Sequence, residues 1–351
     1  MPVRGLPPDR RSHRGRDRVK PFGYVRPAST DEAVRLRAAD PAARFLGGGT
    51  NLVDLMKLGV ETPGALIDIA GLPLDRVART AEGGLSIGAT VRNSDLAAHP
   101  DVTGGYPALS QALLAGASGQ LRNAATTGGN LLQRTRCRYF QDVSKPCNKR
   151  VPGSGCPAYE GSNRDLAILG YSPECVATNP SDMAVALAAL DATVVLVGPE
   201  GERTVPVAEF HRLPGENPDQ DTVIRPGELI TEVVLPPPAP GAASRYRKAR
   251  DRASYAFALV SVAATLRVAD GRVEHATLAF GGVAPRPWRA RRAEAELRDA
   301  PATPAAFQHA VIAELAEARP LSDNAFKVDL ALRLALDVLG ELAERRPAPT
   351  A

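Results

Sequence analysis

Short apolar runs of period two alternate along this chain with runs of helical period, and the alternation divides residues 20–345 into strands and helices. Ser29 stands three residues before Glu32 and ahead of Ala33, Val34 and Leu36, a capping-box start to a helix. Residues 43–46 read as a short strand ending in Gly47-Gly48-Gly49-Thr50-Asn51, residues 52–58 as helix, and 65–69 as the next strand. A strand at 85–89 and helices at 94–98 and 107–117 follow, before the periodicity lapses. It resumes with a helix over 181–192 and strands at 193–197, 203–205 and 228–235. Pro236-Pro237-Pro238-Ala239-Pro240-Gly241 reads as a linker, which puts a domain boundary near residue 240. Beyond it, residues 244–250, 259–268 and 272–281 predict antiparallel strands, the last two joined at Asp270-Gly271, and 288–345 predicts helix.

Composition and charge narrow the picture. A chain of 351 residues with 44% apolar content has enough for two real cores, and no run of eighteen apolar residues predicts a membrane span. The net charge of +4 belongs to residues 1–19, with six arginines and two aspartates; the other 332 residues hold 37 basic and 37 acidic side chains. A neutral body with a basic tail does not predict a nucleic-acid-binding surface. The Arg-, Pro- and Gly-rich tail reads as disordered. Arg10-Arg11 is a twin arginine, but no apolar segment follows it, so the chain is read as carrying no export signal of its own.

The chemistry concentrates where the periodicity lapses. All four cysteines, Cys137, Cys147, Cys156 and Cys175, fall in a Gly/Pro-rich window spaced C-x9-C-x8-C-x18-C. Four thiolates in one loop-rich segment suit a tetrahedral S4 site, hence zinc or an iron–sulfur cluster; two disulfides or unpaired thiols remain the alternatives. Arg134, Arg136, Arg138, Lys145, Lys149 and Arg150 would offset the negative charge of such a site. Two polar, glycine-rich turns, Gly47-Gly48-Gly49-Thr50-Asn51 and Thr126-Thr127-Gly128-Gly129-Asn130, let a backbone approach an anion closely, although most such turns are only turns. Neither has the G-x-G-x-x-G spacing of a Rossmann site. The five histidines share no ligand spacing, and hydrolase motifs are absent, so hydrolytic chemistry has no support.

Taken together, Ala115 through Asn123, Gly129 through Cys137, Pro146-Cys147-Asn148-Lys149-Arg150, Pro180 through Ala186, and Tyr246 through Phe257 resemble the FAD-binding medium subunits of the molybdenum hydroxylases. This is the xanthine dehydrogenase and carbon monoxide dehydrogenase group. Within it, the Cys-rich insertion most resembles that of bacterial periplasmic aldehyde oxidoreductases. The resemblance implies an α+β fold. A PCMH-type FAD-binding domain over 20–240, with a small βαβ unit and a mixed or antiparallel sheet with helices, would carry the Cys-rich insertion at 134–178. A C-terminal flavoprotein domain over 241–346, carbon monoxide dehydrogenase-like, would hold an antiparallel three-stranded sheet with helices.

Carried over residue by residue, the resemblance implies FAD contacts from Arg44, Phe45, Leu46, Gly47, Gly48, Gly49, Thr50, Asn51 and Leu52, and from Thr126, Gly128, Gly129 and Asn130. It adds Asp182, Ile230 and Lys248, the last placed near the ring, where a cation would stabilise reduced flavin. Cys137, Cys147, Cys156 and Cys175 match ligands of a [4Fe–4S] cluster. The implied task is electron transfer from [2Fe–2S] centres on a small partner subunit, fed by a large molybdenum subunit, to an external acceptor. A signal-bearing small subunit would take the complex to the periplasm, and the cytoplasm is the alternative. The competing readings are the flavin subunit of a xanthine dehydrogenase or other molybdenum hydroxylase, a self-contained flavin oxidase, and a zinc-stabilised non-enzymatic protein.

Overall fold

A computed structural model describes residues 19–344. The basic tail lies outside the described residues apart from Val19.

Three sheets carry the chain. Gly23–Val25, Ala65–Asp68 and Arg44–Leu46 form a small parallel sheet in that spatial order, so the glycine-rich turn leaves the carboxyl end of an outer strand. Helix Thr30–Ala39 crosses between the outer two strands and buries Ala33 and Val34 against Ile67. Its start is capped as the sequence predicts: Ser29 accepts from the Glu32 amide at 3.2 Å, while the Glu32 carboxylate accepts from the Ala28 amide at 2.6 Å.

A five-stranded antiparallel sheet follows, in the order Val77–Arg79, Leu85–Gly88, Leu229–Leu235, Thr193–Gly198 and Gly201–Pro206. The third is Ala243–Ala249, Val260–Ala269 and Arg272–Gly281, the three predicted antiparallel strands, with the two-residue Trp288–Arg289 added at the edge. Asp270 and Gly271 both take positive φ, 50° and 73°, the conformation that closes a two-residue hairpin with the natural strand twist.

Alternation along the long hairpin explains how the domains join. Val260, Val262, Ala264 and Leu266 face a core shared with the C-terminal helices, whereas Ala263 on the opposite face enters the core of the flavin domain. Helix Asp182–Ala189 lies in that second core with every residue buried, which accounts for its unbroken apolar sequence.

Several elements differ from the sequence reading. The helix read as 107–117 stops at Ala115, because Gly116 is extended and Ala117 takes φ 50°. The stretch 288–345 is not one helical run but the edge strand and helices Arg291–Leu297, Pro304–Leu315 and Phe326–Glu344, broken first at Asp299, where φ is 57°, and Pro301. The helix read as 181–192 is Asp182–Ala189, ending before Asp191 at φ 52°. No helix among the described residues is long and apolar enough to cross a membrane.

Candidate functional site

The two glycine-rich loops pack against each other, and this contact explains their glycines. A Cβ on Gly48 would stand 1.7 Å from the Ala124 carbonyl oxygen, and one on Gly47 would stand 2.8 Å from Thr126 Oγ1. Only backbone without side chains can approach so closely. Gly49 takes φ 71°, turning the chain into helix Leu52–Lys57. Across the contact, Thr126 caps the short helix Thr127–Leu131 by accepting from the Gly129 amide at 3.3 Å. Asn51 Oδ1 accepts from the Arg134 amide at 2.8 Å and ties the first loop to the segment leading into Cys137.

On either side of this seam lie two cavities, of about 330 and 470 Å³, whose walls share Thr50, Asn51 and Gly129. Each is within the range of small-molecule sites, and together they suit an elongated ligand. The larger runs along Arg44–Leu46, the Gly47–Leu52 turn, Thr126, Gly128 and Ile230. The smaller is walled by Leu113, Leu121, Met183 and Phe257, with Asn130, Asp182 and Lys248. The structure therefore brings every residue carried over as an FAD contact to the walls of these two adjoining cavities.

The polar groups of the smaller cavity are built to stay in place. Lys248 Nζ donates to Asp182 Oδ2 at 2.7 Å and to the Ala115 carbonyl at 3.2 Å. Tyr246 donates its hydroxyl to the other Asp182 oxygen. Burial, and then the Asp182 charge, hold that phenol well above its ordinary pKa, so it remains a donor. Ser181 Oγ donates to Asn130 Oδ1 at 2.7 Å and accepts from the Ala184 amide, linking the second glycine loop to the helix that carries Asp182.

Four buried polar atoms on these walls have no partner in the protein: Asn51 Nδ2, Asn93 Oδ1, Arg134 Nη2 and Arg136 Nε. Donors and an acceptor left open on the walls of these cavities are what a bound polar ligand would satisfy. With the seam of close-packed backbone, they show that the residues present fit a dinucleotide such as FAD. Asn93 is missing from the sequence-derived set. It sits in the run Val91-Arg92-Asn93-Ser94, which carries no motif, and only the fold brings it here, its main-chain N–H donating to the Ala125 carbonyl at 2.9 Å.

The four cysteines come from separate turns and line one small space together with Phe140, Pro146 and Ala158. All four are free, so the disulfide alternative is not realised in this structure. Burial pushes Cys175 up to about 11, against a downward pull from the Lys149 charge. Burial also raises Cys137 and Cys156, opposed by main-chain N–H groups of Phe140 and Tyr139 at Cys137, and of Val176, Ala158 and Tyr159 at Cys156. Amides aimed at sulfur favour thiolate and partly offset that rise. No three His, Cys, Asp or Glu side chains among the described residues come together closely enough for a single metal ion. The space between the sulfurs is about 10 Å³, room for one water.

The cations read from the sequence as a counter-charge for the cysteines are mostly engaged elsewhere. Arg134 pairs with Glu61 at 2.6 Å and Asp221 at 2.8 Å, and buried Lys149 also pairs with Asp221. Arg150 donates to the carbonyls of Tyr139, Phe140 and Lys145, bracing the loop.

Comparison with known proteins fits this geometry. A family model described as the FAD binding domain in molybdopterin dehydrogenase matches residues 20–238, and one described as the CO dehydrogenase flavoprotein C-terminal domain matches residues 244–342. The chain is 53% identical over 325 residues to the aldehyde oxidoreductase FAD-binding subunit PaoB of Escherichia coli (strain K12), covering 92% of this chain and 98% of that one. It is 30% identical to the glyceraldehyde dehydrogenase medium chain of Sulfolobus acidocaldarius, covering 78% and 79%. Among solved structures, the carbon monoxide dehydrogenase of Hydrogenophaga pseudoflava superposes with a TM-score of 0.74 at 28% identity, covering 93% of this chain and 98% of that one.

Proposed function

The chain belongs to the FAD-binding, medium subunits of the molybdenum hydroxylases, and from that membership we propose that it is the electron-transfer subunit of a three-subunit, molybdenum-dependent aldehyde oxidoreductase. It is a subunit of an oxidoreductase, works beside a large and a small partner subunit, and its first domain takes FAD. The observation that carries the finer reading is the high identity to an aldehyde oxidoreductase subunit along almost the whole chain, well above that to subunits acting on carbon monoxide or xanthine.

Bound FAD would supply the exchange of electrons between [2Fe–2S] centres of the small subunit and an external acceptor. The residues of this chain do the holding. The Gly47–Asn51 backbone would offer amides to the diphosphate, while the amides of Thr127, Gly128, Gly129 and Asn130 are spent within the protein and hold the second loop in shape. Asn51 Nδ2 and Asn93 Oδ1 present one donor and one acceptor, and the Asp182–Lys248–Tyr246 set fixes the far wall. Leu113, Leu121 and Met183 keep water from that end. Cys137, Cys147, Cys156 and Cys175 would hold a [4Fe–4S] cluster through their sulfurs, a reading supported by the amides aimed at those sulfurs. We place the enzyme in the periplasm, exported with a signal-bearing small subunit; cell fractionation tests that.

Purification of the chain with its partners, without air, decides the rest. Flavin absorbance with about four irons per chain beyond those of the partner's [2Fe–2S] centres supports the reading. Zinc without flavin would overturn it in favour of a structural protein, and aldehyde oxidation by the isolated chain would favour a self-contained flavin oxidase.

A further inference from the structure

One cation on the wall of the smaller cavity has, among the described residues, neither an ion pair nor a hydrogen-bond partner for its side chain. Lys248, the residue that the family resemblance puts near the ring, is matched by Asp182 at 2.7 Å, so the pair adds little net charge to the cleft. Arg122 gives its donors to the carbonyls of Leu114 and Gly116, and Arg252 is exposed and donates to the Tyr255 carbonyl. Arg136 differs from all three. Its guanidinium lies over the Phe257 ring, 5.1 Å from the centroid, and its Nε is buried without any hydrogen-bond partner. It forms no ion pair among the described residues, and Asp54 and Tyr255 act on it from farther off. Arg136 also lines the adjoining cavity of about 230 Å³ that reaches Cys137, so its charge stands between the flavin cleft and the first cysteine.

A half-buried cation with an unmet donor requires an anion that arrives with the ligand. The diphosphate is provided for by the first glycine loop, whose Gly47, Gly48 and Gly49 line the larger cavity, and neither Arg136 nor Phe257 reaches that cavity. Two negative charges remain: that of the cysteine site, which Arg136 meets only through the adjoining cavity, and the one that FAD's ring system acquires when it takes up two electrons from the partner subunit's iron–sulfur centres and one proton from solvent. We propose that Arg136 is the positioning residue for the ring's charge, and that by stabilising the reduced ring it raises the flavin potential. This rests on the reading of the cleft as the FAD site.

The test is a redox titration of the complete enzyme, followed at the flavin band, for wild type, Arg136→Gln and Arg136→Lys. With FAD and iron contents at the wild-type level, Arg136→Gln should make flavin reduction about tenfold less favourable against a fixed dye, a shift of about 30 mV to the negative. Arg136→Lys should restore most of it. An unchanged potential in a fully flavinylated Arg136→Gln enzyme overturns the proposal. So does FAD loss at unchanged potential, which would assign the side chain to a phosphate, and so does FAD loss from both variants, which would assign it a role in shape. FAD loss from Arg136→Gln with retention in Arg136→Lys overturns it too, because a charge held on a phosphate predicts that pattern. Wild-type enzyme without flavin would fail the family-level reading instead, and would be visible before any variant is made.

Discussion

Lys248 Nζ sits 2.7 Å from Asp182 Oδ2, with both side chains almost wholly buried. The pair joins the first turn of a flavin-domain helix to a strand of the C-terminal sheet, so it fixes the cleft wall and the domain contact together. Asp182→Asn keeps an acceptor for the Tyr246 hydroxyl but leaves a buried ammonium without a counter-ion. The loss should be about 3–5 kcal/mol of stability, with weaker FAD retention. Adding Lys248→Met removes the stranded charge and should recover most of the stability, but not the FAD. Chemical denaturation and flavin content read the two effects apart; a double variant as unstable as the single would show that the pair is not the cause.

Glycine substitutions give a sharper contrast. In Gly48→Ala the new methyl meets the Ala124 carbonyl at 1.7 Å, so the two loops must part. The strain should cost at least about 1–3 kcal/mol and empty the FAD site. Gly340→Ala, inside helix Phe326–Glu344 with nothing within 4 Å of the new methyl, should instead stabilise by about 0.5–1 kcal/mol and leave FAD untouched. Thermal melts and flavin absorbance on both proteins check the pair.

These cases mark what local sequence could carry. The hairpin Val260–Ala269 to Arg272–Gly281 was legible because alternation and an Asp-Gly turn agree on one register. The glycine turns were legible as turns, but reading them as an open cradle for an anion missed that Gly48 is required by the neighbouring loop. Strand Gly23–Val25 is three residues long and half exposed, too short to leave a period. The partner of Lys248 is 66 residues away, and Asn93 enters the cleft from a stretch with no motif, so only tertiary packing could reveal them. The cysteine spacing left zinc, a cluster and disulfides open because ligand geometry resides in the fold of the loop and not in its intervals.

Lys327 makes a pH prediction. It is fully buried in helix Phe326–Glu344 and donates to the carbonyls of Leu166 at 2.9 Å and Gly282 at 2.7 Å, tying the Cys-rich insertion to the C-terminal domain. Burial lowers its pKa from 10.5 to about 7, with Asp165 opposing and Arg164 assisting the shift. Between pH 7 and 10.5 the unfolded chain therefore holds a proton that the folded chain has released. Stability should rise with pH across that window, and the penalty of burying the charge should be complete below pH 7. Measured as the difference in unfolding free energy between wild type and Lys327→Met, other titrations largely cancel. A difference that is flat from pH 7 to 10 would show that the amine stays charged.

The cysteine site and the flavin cleft should separate under mutation at one residue and fall together at another. Cys156 lines only the small space among the sulfurs, away from both glycine loops. Cys156→Ser, in enzyme purified without air, should lower the iron content and leave most FAD in place; unchanged iron removes Cys156 from the ligand set. Asp221 stands between the sites. It lines the larger cavity and pairs with Arg134, whose own amide binds Asn51, and with Lys149, which pulls on the Cys175 thiol. Asp221→Asn leaves Lys149 buried without its carboxylate and Arg134 with one partner instead of two. It should therefore reduce iron and FAD in the same preparation, and loss of only one of them would show that this ion network does not couple the sites.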